Sequence, residues 1–183
     1  QPAAITRVDR ADGAVETVVD AYRGAPLNSP NDVVVTRDGA IWFTDPSYAH
    51  VQGFGPEPQV PDAVYRFAGG ELTRVADGFE KPNGLAFSPD ERVLYVGDSE
   101  ACVIWAFEGG ERRLFAEIAP GYPDGLKVDA AGRIYSTAGD GIQIFEPDGR
   151  RAGLIPIPGA VNFAFGDGAL FITTDDAIWR TTA

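Results

Sequence analysis

The sequence predicts an all-β fold, a β-propeller built from four-stranded antiparallel blades. Short apolar or alternating segments stop at Gly, Asp or Pro along the whole chain, which is typical of β-hairpins. A small polar motif occurs three times, each time directly ahead of a predicted hairpin, and begins at Ser29, Lys81 and Tyr122. Four short strands in a repeat of about 40 to 45 residues indicate a propeller blade.

Each polar motif is followed by a first hairpin, whose turn carries the Gly or Asp that tight turns require. The predicted strand pairs of this kind are 33–35 with 41–44, 85–87 with 93–96, and 126–128 with 133–136.

A second kind of hairpin completes each four-stranded unit. Its predicted strand pairs are 5–8 with 15–19, 63–67 with 71–75, 103–107 with 112–115, and 142–145 with 152–155. A last unit over residues 161–173 ends the array, so the chain is expected to hold about four blades.

The recurring motif places an Asn or Asp just ahead of the first strand of each unit: Asn31, Asn83 and Asp124. The innermost strands of a propeller line its central channel, so residues at their starts are expected to meet at one mouth of that channel. Amide and carboxylate oxygens are hard ligands, which predicts a site for a Ca²⁺-like cation. In the last unit Val161 takes this position, and Asn162 is not counted as a ligand.

Composition excludes several other classes of function. The formal charge of −12 makes nucleic acid an unlikely partner, and no apolar run approaches the roughly 20 residues of a membrane span. One Cys and one His exclude a Cys/His zinc cage within the chain. We expect a soluble protein, and the choice between cytoplasm and periplasm stays open.

The motifs LNSPNDVVVTRDGAIWFTDPSY, KPNGLAFSPDERVLYVGDS and YPDGLKVDAAGRIY resemble the gluconolactonase/senescence marker protein/luciferin-regenerating-enzyme-like family. This resemblance implies a six-bladed propeller that hydrolyses lactones with one divalent cation, commonly Ca²⁺, with Zn²⁺, Mn²⁺ or Mg²⁺ as alternatives. It implies that Asn83 and Asp124 are metal ligands, and that Asn31 contacts the metal, its bound water or the substrate.

The sequence departs from the family pattern at its start. Family members are longer and carry a further glutamate ligand in the first blade, and no segment here has the form of that motif. We therefore expect residues 1–183 to be a single propeller domain that lacks the N-terminal part. Its open blade edges would be available for association with another chain.

The chemistry and the positions of the residues predict further roles in such a site. Asp124 is expected to act as the general base, and Asn31, Ser29 and Tyr48 to contact a small lactone substrate, with the loop 47–61 as a lid. Two alternatives remain: a related propeller phosphotriesterase, and a non-catalytic propeller fragment used for binding. The strand-end residues Asp45, Asp98 and Asp140 are expected to be turn formers that hydrogen-bond local backbone. Packing within the blades is expected for Trp42, Trp105 and Trp179. Cys102 is expected to be a buried strand residue, and His50 an exposed loop residue.

Overall fold

A computed structural model of the chain describes residues 3–182. The chain forms two compact units, with the boundary between Pro82 and Asn83 at the start of the ninth strand. Among the described residues the only α-helix is the single turn α1 (Tyr48–Val51). None of the helical structure in residues 3–182 has the length and apolarity needed to cross a membrane.

The first unit contains two small hairpins and one four-stranded antiparallel sheet. Its strands are β1 (Ile5–Val8), β2 (Val15–Val19), β3 (Ala21–Tyr22), β4 (Ala25–Pro26), β5 (Val33–Val35), β6 (Ile41–Asp45), β7 (Ala63–Ala68) and β8 (Glu71–Ala76). The sheet β5-β6-β7-β8, here called blade 1, is a simple meander. Its buried residues Phe43 and Tyr65 form a core against which residues of β1, β2 and β3 pack.

The second unit contains three successive antiparallel sheets in the same meander order. Its strands are β9 (Pro82–Phe87), β10 (Val93–Asp98), β11 (Val103–Glu108), β12 (Glu111–Glu117), β13 (Leu126–Val128), β14 (Ile134–Ala138), β15 (Gly141–Phe145), β16 (Arg151–Ile155), β17 (Ala160–Gly166), β18 (Ala169–Thr174) and β19 (Ile178–Thr182). We call β9–β12 blade 2, β13–β16 blade 3 and the three-stranded β17–β19 blade 4.

Apolar residues of successive blades fill the spaces between them in the second unit. Tyr95 and Ile104 of blade 2 share one buried cluster with Leu126 and Ile134 of blade 3. A second cluster joins Ile142 of blade 3 to residues of blade 4. The alternation of strand side chains therefore serves two interfaces, one on each face of blade 3.

Several sequence predictions differ from the structure in detail. Cys102 lies in the turn before β11 with a φ of +55° and is only half-buried, so the prediction of a buried strand residue is wrong. Cys102 precedes β11 by one residue, because the tight turn from β10 to β11 uses this position. Trp42 and Trp105 lie in strands under the guanidinium groups of Arg66 and Arg112. Trp179, in contrast, is 51% exposed in β19 and does not pack as predicted.

Candidate active site

Backbone hydrogen bonds place the three predicted site positions of the second unit side by side. The N–H group of Gly84 donates to the carbonyl oxygen of Asp124 (2.9 Å), and that of Gly125 donates to the carbonyl oxygen of Val161 (3.0 Å). Asn83 thus lies beside Asp124, and Asp124 beside Val161, at the start of successive blades. This agrees with the predicted register, in which Val161 occupies the ligand position of blade 4.

The two glycines are required by the close approach of neighbouring chains. A Cβ atom at Gly84 would overlap the carbonyl oxygen of Asp124 and lie 2.7 Å from the backbone nitrogen of Leu126. A Cβ atom at Gly125 would lie 2.6 Å from Oδ1 of Asn162. That oxygen accepts a hydrogen bond from the N–H group of Phe163 (2.8 Å), a local role that agrees with its exclusion from the ligands.

Asn83 is buried, with 5% of its surface exposed. Its Nδ2 donates to Oγ of Ser99 (3.1 Å), and the Ser99 hydroxyl donates to the carbonyl oxygen of Pro123 (2.6 Å). Ser99, which follows β10, is buried as well. The side chain of one predicted ligand is therefore tied to the residue that precedes the other.

Asp124 is half-buried, and its backbone is fixed by Thr137. The N–H group of Asp124 donates to Oγ1 of Thr137 (2.9 Å), and the N–H group of Thr137 donates to the carbonyl oxygen of Gly125 (3.0 Å). Because Thr137 is 1% exposed, this clamp is protected from water. The Asp124 carboxylate is thus carried on a segment that is anchored from two sides.

A cavity of about 300 Å³ opens beside Asp124 in the second unit. Its lining includes Tyr122, Thr137, Val161 and Asp175. The volume is at the lower end of the range of small-molecule sites in proteins. The lining residues include two aspartates, the exposed Tyr122 and the aliphatic Val161, so the cavity combines polar and apolar groups.

The remaining predicted residues lie in the first unit. Asn31 is exposed, and its N–H group donates to the carbonyl oxygen of Thr44 (2.9 Å). The Ser29 hydroxyl donates to the carbonyl oxygen of Pro46 (2.6 Å) and accepts from the N–H group of Ala49 (3.3 Å). Ser29 therefore anchors the start of α1, where Tyr48 is half-buried. The meeting of Asn31 with Asn83 and Asp124 stays a prediction.

A buried polar cluster in the first unit was not predicted from the sequence. Asp45 is fully buried and accepts hydrogen bonds from the N–H groups of Asn28 (2.9 Å) and Ser29 (2.8 Å). Nearby, Lys81 forms an ion pair with Asp62 (2.8 Å) in which both side chains are largely buried. Asp45 thus joins residues 16 and 17 positions away, and is not the local turn former that the sequence predicts.

Burial raises the pKa of the Asp45 carboxyl to about 6, although its two backbone hydrogen bonds act in the opposite direction. The neighbouring carboxylate of Asp62 makes a smaller contribution to this rise in pKa. Folding therefore favours the protonated form. The stability that this preference contributes is complete below the unfolded pKa of 3.8, and is lost as the pH rises through about 6.

We expect the free energy of unfolding to fall by about 2 to 3 kcal/mol between pH 4 and pH 7 on account of Asp45. In the variant Asp45→Asn, which is neutral at every pH, this part of the slope should disappear in urea denaturation measured over the same range. The matched variant Asp148→Asn changes an exposed aspartate, keeps Asp45 and should keep the slope. An equal slope in Asp45→Asn and the unaltered protein would contradict the assignment.

Of the three predicted ligands of the cation, Asn31 and Asn83 would supply amide oxygens and Asp124 a carboxylate. Among residues 3–182, no three His, Cys, Asp or Glu side chains lie close enough together to bind a metal ion. The predicted ligands Asn83 and Asp124 supply one amide oxygen and one carboxylate, which are both suited to Ca²⁺. Their adjacent, anchored positions fit such an ion in chemistry.

Comparison with known proteins gives one consistent result. Residues 2–176 match the profile of the SMP-30/gluconolactonase/LRE-like region. A gluconolactonase from Zymomonas mobilis is 33% identical over 97% of this chain, and the match covers 56% of that protein. The chain thus spans little more than half the length of this curated relative.

Solved structures support the fold. The structure of a gluconolactonase from Xanthomonas campestris superposes with a TM-score of 0.90 at 44% identity, covering 97% of this chain and 64% of that one. A calcium-binding regucalcin from Agrobacterium tumefaciens superposes with a TM-score of 0.78 at 22% identity, covering 94% and 62%. The predicted all-β propeller class, with four-stranded antiparallel blades, is confirmed.

Proposed function

The chain belongs to the SMP-30/gluconolactonase/LRE-like family, and we propose that it hydrolyses a lactone, the cyclic ester of a sugar acid, with one divalent cation, Ca²⁺, bound by Asn83 and Asp124. One observation carries this proposal. The hydrogen bond from Gly84 to Asp124 brings these two residues onto neighbouring segments, and a cavity of about 300 Å³ opens beside Asp124. The gluconolactonases to which the chain is similar support the same reaction class.

The residues present are suited to this cation. Oδ1 of Asn83 and the carboxylate of Asp124 are the candidate ligand atoms, and we propose Asn31 as a further ligand or substrate contact. A cation bound there would supply Lewis-acid polarisation of an ester carbonyl. The calcium-binding regucalcin shares the fold, which supports a cation site in this architecture.

We assign the proton transfer to Asp124. Its carboxylate would orient a water molecule and accept a proton from it as the water oxygen attacks the lactone carbonyl carbon. The ring C–O bond then breaks, Asp124 gives the proton to the leaving ring oxygen, and the product is a hydroxy acid. The backbone bond to Thr137 keeps the Asp124 segment in place during this change.

The cavity lining favours a neutral substrate. Its two carboxylates, Asp124 and Asp175, are accompanied by no Lys, Arg or His among the lining residues. The hydroxyl group of Tyr122, whose side chain is exposed, offers hydrogen bonds to a polyol ring. For Tyr48 we propose a substrate contact, with Ser29 acting through its anchoring of α1.

The function is tested by proton release from glucono-δ-lactone, measured with a pH indicator on the protein from its complete reading frame. We expect the enzymatic rate to rise by about tenfold or more when Ca²⁺ is added back to protein treated with a chelator. A matched reaction with a phosphotriester should give no turnover. Phosphotriester hydrolysis without lactone hydrolysis, or a lactone rate independent of added cation, would contradict the proposal.

A further inference from the structure

Ser99 lies between the two proposed ligands of the second unit and touches both of their segments. Its Oγ atom is 3.1 Å from Nδ2 of Asn83 and 2.6 Å from the carbonyl oxygen of Pro123. Both Ser99 and Asn83 are more than nine-tenths buried.

The chemistry of these groups determines the direction of each hydrogen bond. A backbone carbonyl oxygen can only accept, so the single hydroxyl proton of Ser99 must point to Pro123. The same hydroxyl can then only accept from Asn83, through a lone pair. Asn83 must therefore present its NH₂ group to Ser99, which settles the orientation of an amide whose two ends are otherwise similar in shape.

This orientation decides which atom of Asn83 can serve a cation. With Nδ2 directed to Ser99, Oδ1 occupies the other branch of the planar amide. The reversed amide would place an NH₂ group where a ligand oxygen is needed, and would set an oxygen against the Ser99 lone pairs. In an interior with little water, both mismatches are costly.

The same hydroxyl also links the two strand starts. Ser99 binds the carbonyl oxygen of Pro123, and Gly84 binds that of Asp124. The carbonyl groups of Pro123 and Asp124 are therefore both held by residues of blade 2, the blade that carries Asn83. Loss of one bond would let the spacing of the two ligand side chains relax.

We propose that Ser99 is the positioning residue of the cation site: it holds Nδ2 of the Asn83 amide, so that Oδ1 is the atom on the ligand side, and it sets the spacing of this amide from Asp124. This inference rests on the proposed function in one respect, the presence of the cation. Residues that orient metal ligands typically change metal affinity by about 10- to 100-fold when they are replaced.

The first experiment measures Ca²⁺ affinity by calorimetry on the full-length protein and its variants. We expect Ser99→Ala to weaken Ca²⁺ binding by about tenfold or more, and Ser99→Thr, which keeps the hydroxyl group, to restore much of it. The control Ser88→Ala removes a hydroxyl from the turn between β9 and β10 of the same blade, where it donates to Asp90, and should leave the affinity unchanged. Equal affinity in Ser99→Ala and the unaltered protein would overturn the inference while leaving the proposed function intact.

A second experiment reads the orientation without any cation. In ¹⁵N-labelled protein, the side-chain NH₂ protons of Asn83 should exchange with solvent much more slowly than those of the exposed Asn31, and Ser99→Ala should speed their exchange. Exchange of Asn83 as fast as that of Asn31 would contradict the orientation, even if Ser99→Ala fails to fold. Slow exchange together with no Ca²⁺ binding in the unaltered protein would overturn the proposed function and the cation role of Ser99.

Discussion

Replacing Asp124 with asparagine should reduce kcat/KM for lactone hydrolysis by about a thousandfold, within the range lost when a general base is removed. The substitution keeps the shape of the side chain but removes the negative charge and the proton acceptor. The N–H group of Asp124 donates to Thr137 through the backbone, so this bond is unaffected by the change. Steady-state kinetics of proton release over a range of Ca²⁺ concentrations would measure the effect.

The matched control is Asp148→Asn, which changes an exposed aspartate in the turn between β15 and β16 of the same blade. It should leave the kinetics unchanged. The free energy of unfolding of Asp124→Asn should stay close to that of the unaltered protein. If Asp124→Asn keeps more than a tenth of the activity at saturating Ca²⁺, Asp124 is not the base.

Replacing Gly84 with alanine should destabilise the protein by more than about 3 kcal/mol, at or beyond the upper end of the usual cost of overpacking. The added methyl group would overlap the backbone carbonyl oxygen of Asp124 and crowd the backbone nitrogen of Leu126. Neither atom belongs to a flexible side chain, so relief requires the two strand starts to separate. The hydrogen bond from Gly84 to Asp124 would lengthen, and activity should fall with stability. Urea denaturation monitored by tryptophan fluorescence would measure the change.

Gly153→Ala is a suitable control for this experiment. Gly153 lies in β16 of the second unit, and a Cβ atom there would make an ordinary contact of 3.6 Å with Ile144. We expect the free energy of unfolding of this variant to change by less than about 1 kcal/mol, because the added methyl group causes no steric strain in the strand. Equal destabilisation by both substitutions would show that the close approach at Gly84 is not the cause.

The strand pattern could be predicted from the sequence because each hairpin is a local event. The alternation of apolar residues, with Gly or Asp in the turns, predicted the pairing of β13 with β14 and of β15 with β16. The register of the ligand positions was also predictable, since the recurring Pro-Asn-Gly and Pro-Asp-Gly motifs align Gly84 with Gly125. The close backbone contacts that require these glycines were not predicted, although the repeated glycine in the two motifs indicated a structural requirement at this position.

Contacts between residues far apart in sequence were not predictable. Nothing local indicates that Asp45 accepts hydrogen bonds from Asn28 and Ser29, because the pairing depends on how the segment before blade 1 returns to the end of β6. Ser99 was overlooked for a similar reason, since its partners, Asn83 and Pro123, lie 16 and 24 residues away. The only sequence signal for Ser99 was its position directly after Asp98, at the end of a predicted strand.

The main-chain links between Gly84 and Asp124, and between Gly125 and Val161, have a consequence for how such proteins diverge. These bonds use peptide groups, so they do not depend on the side chains at positions 83, 124 and 161. Val161 already shows that an aliphatic group is accepted at one of these places. During evolution the side chains at these three positions can therefore be replaced one at a time, while the backbone hydrogen bonds between the blades are kept.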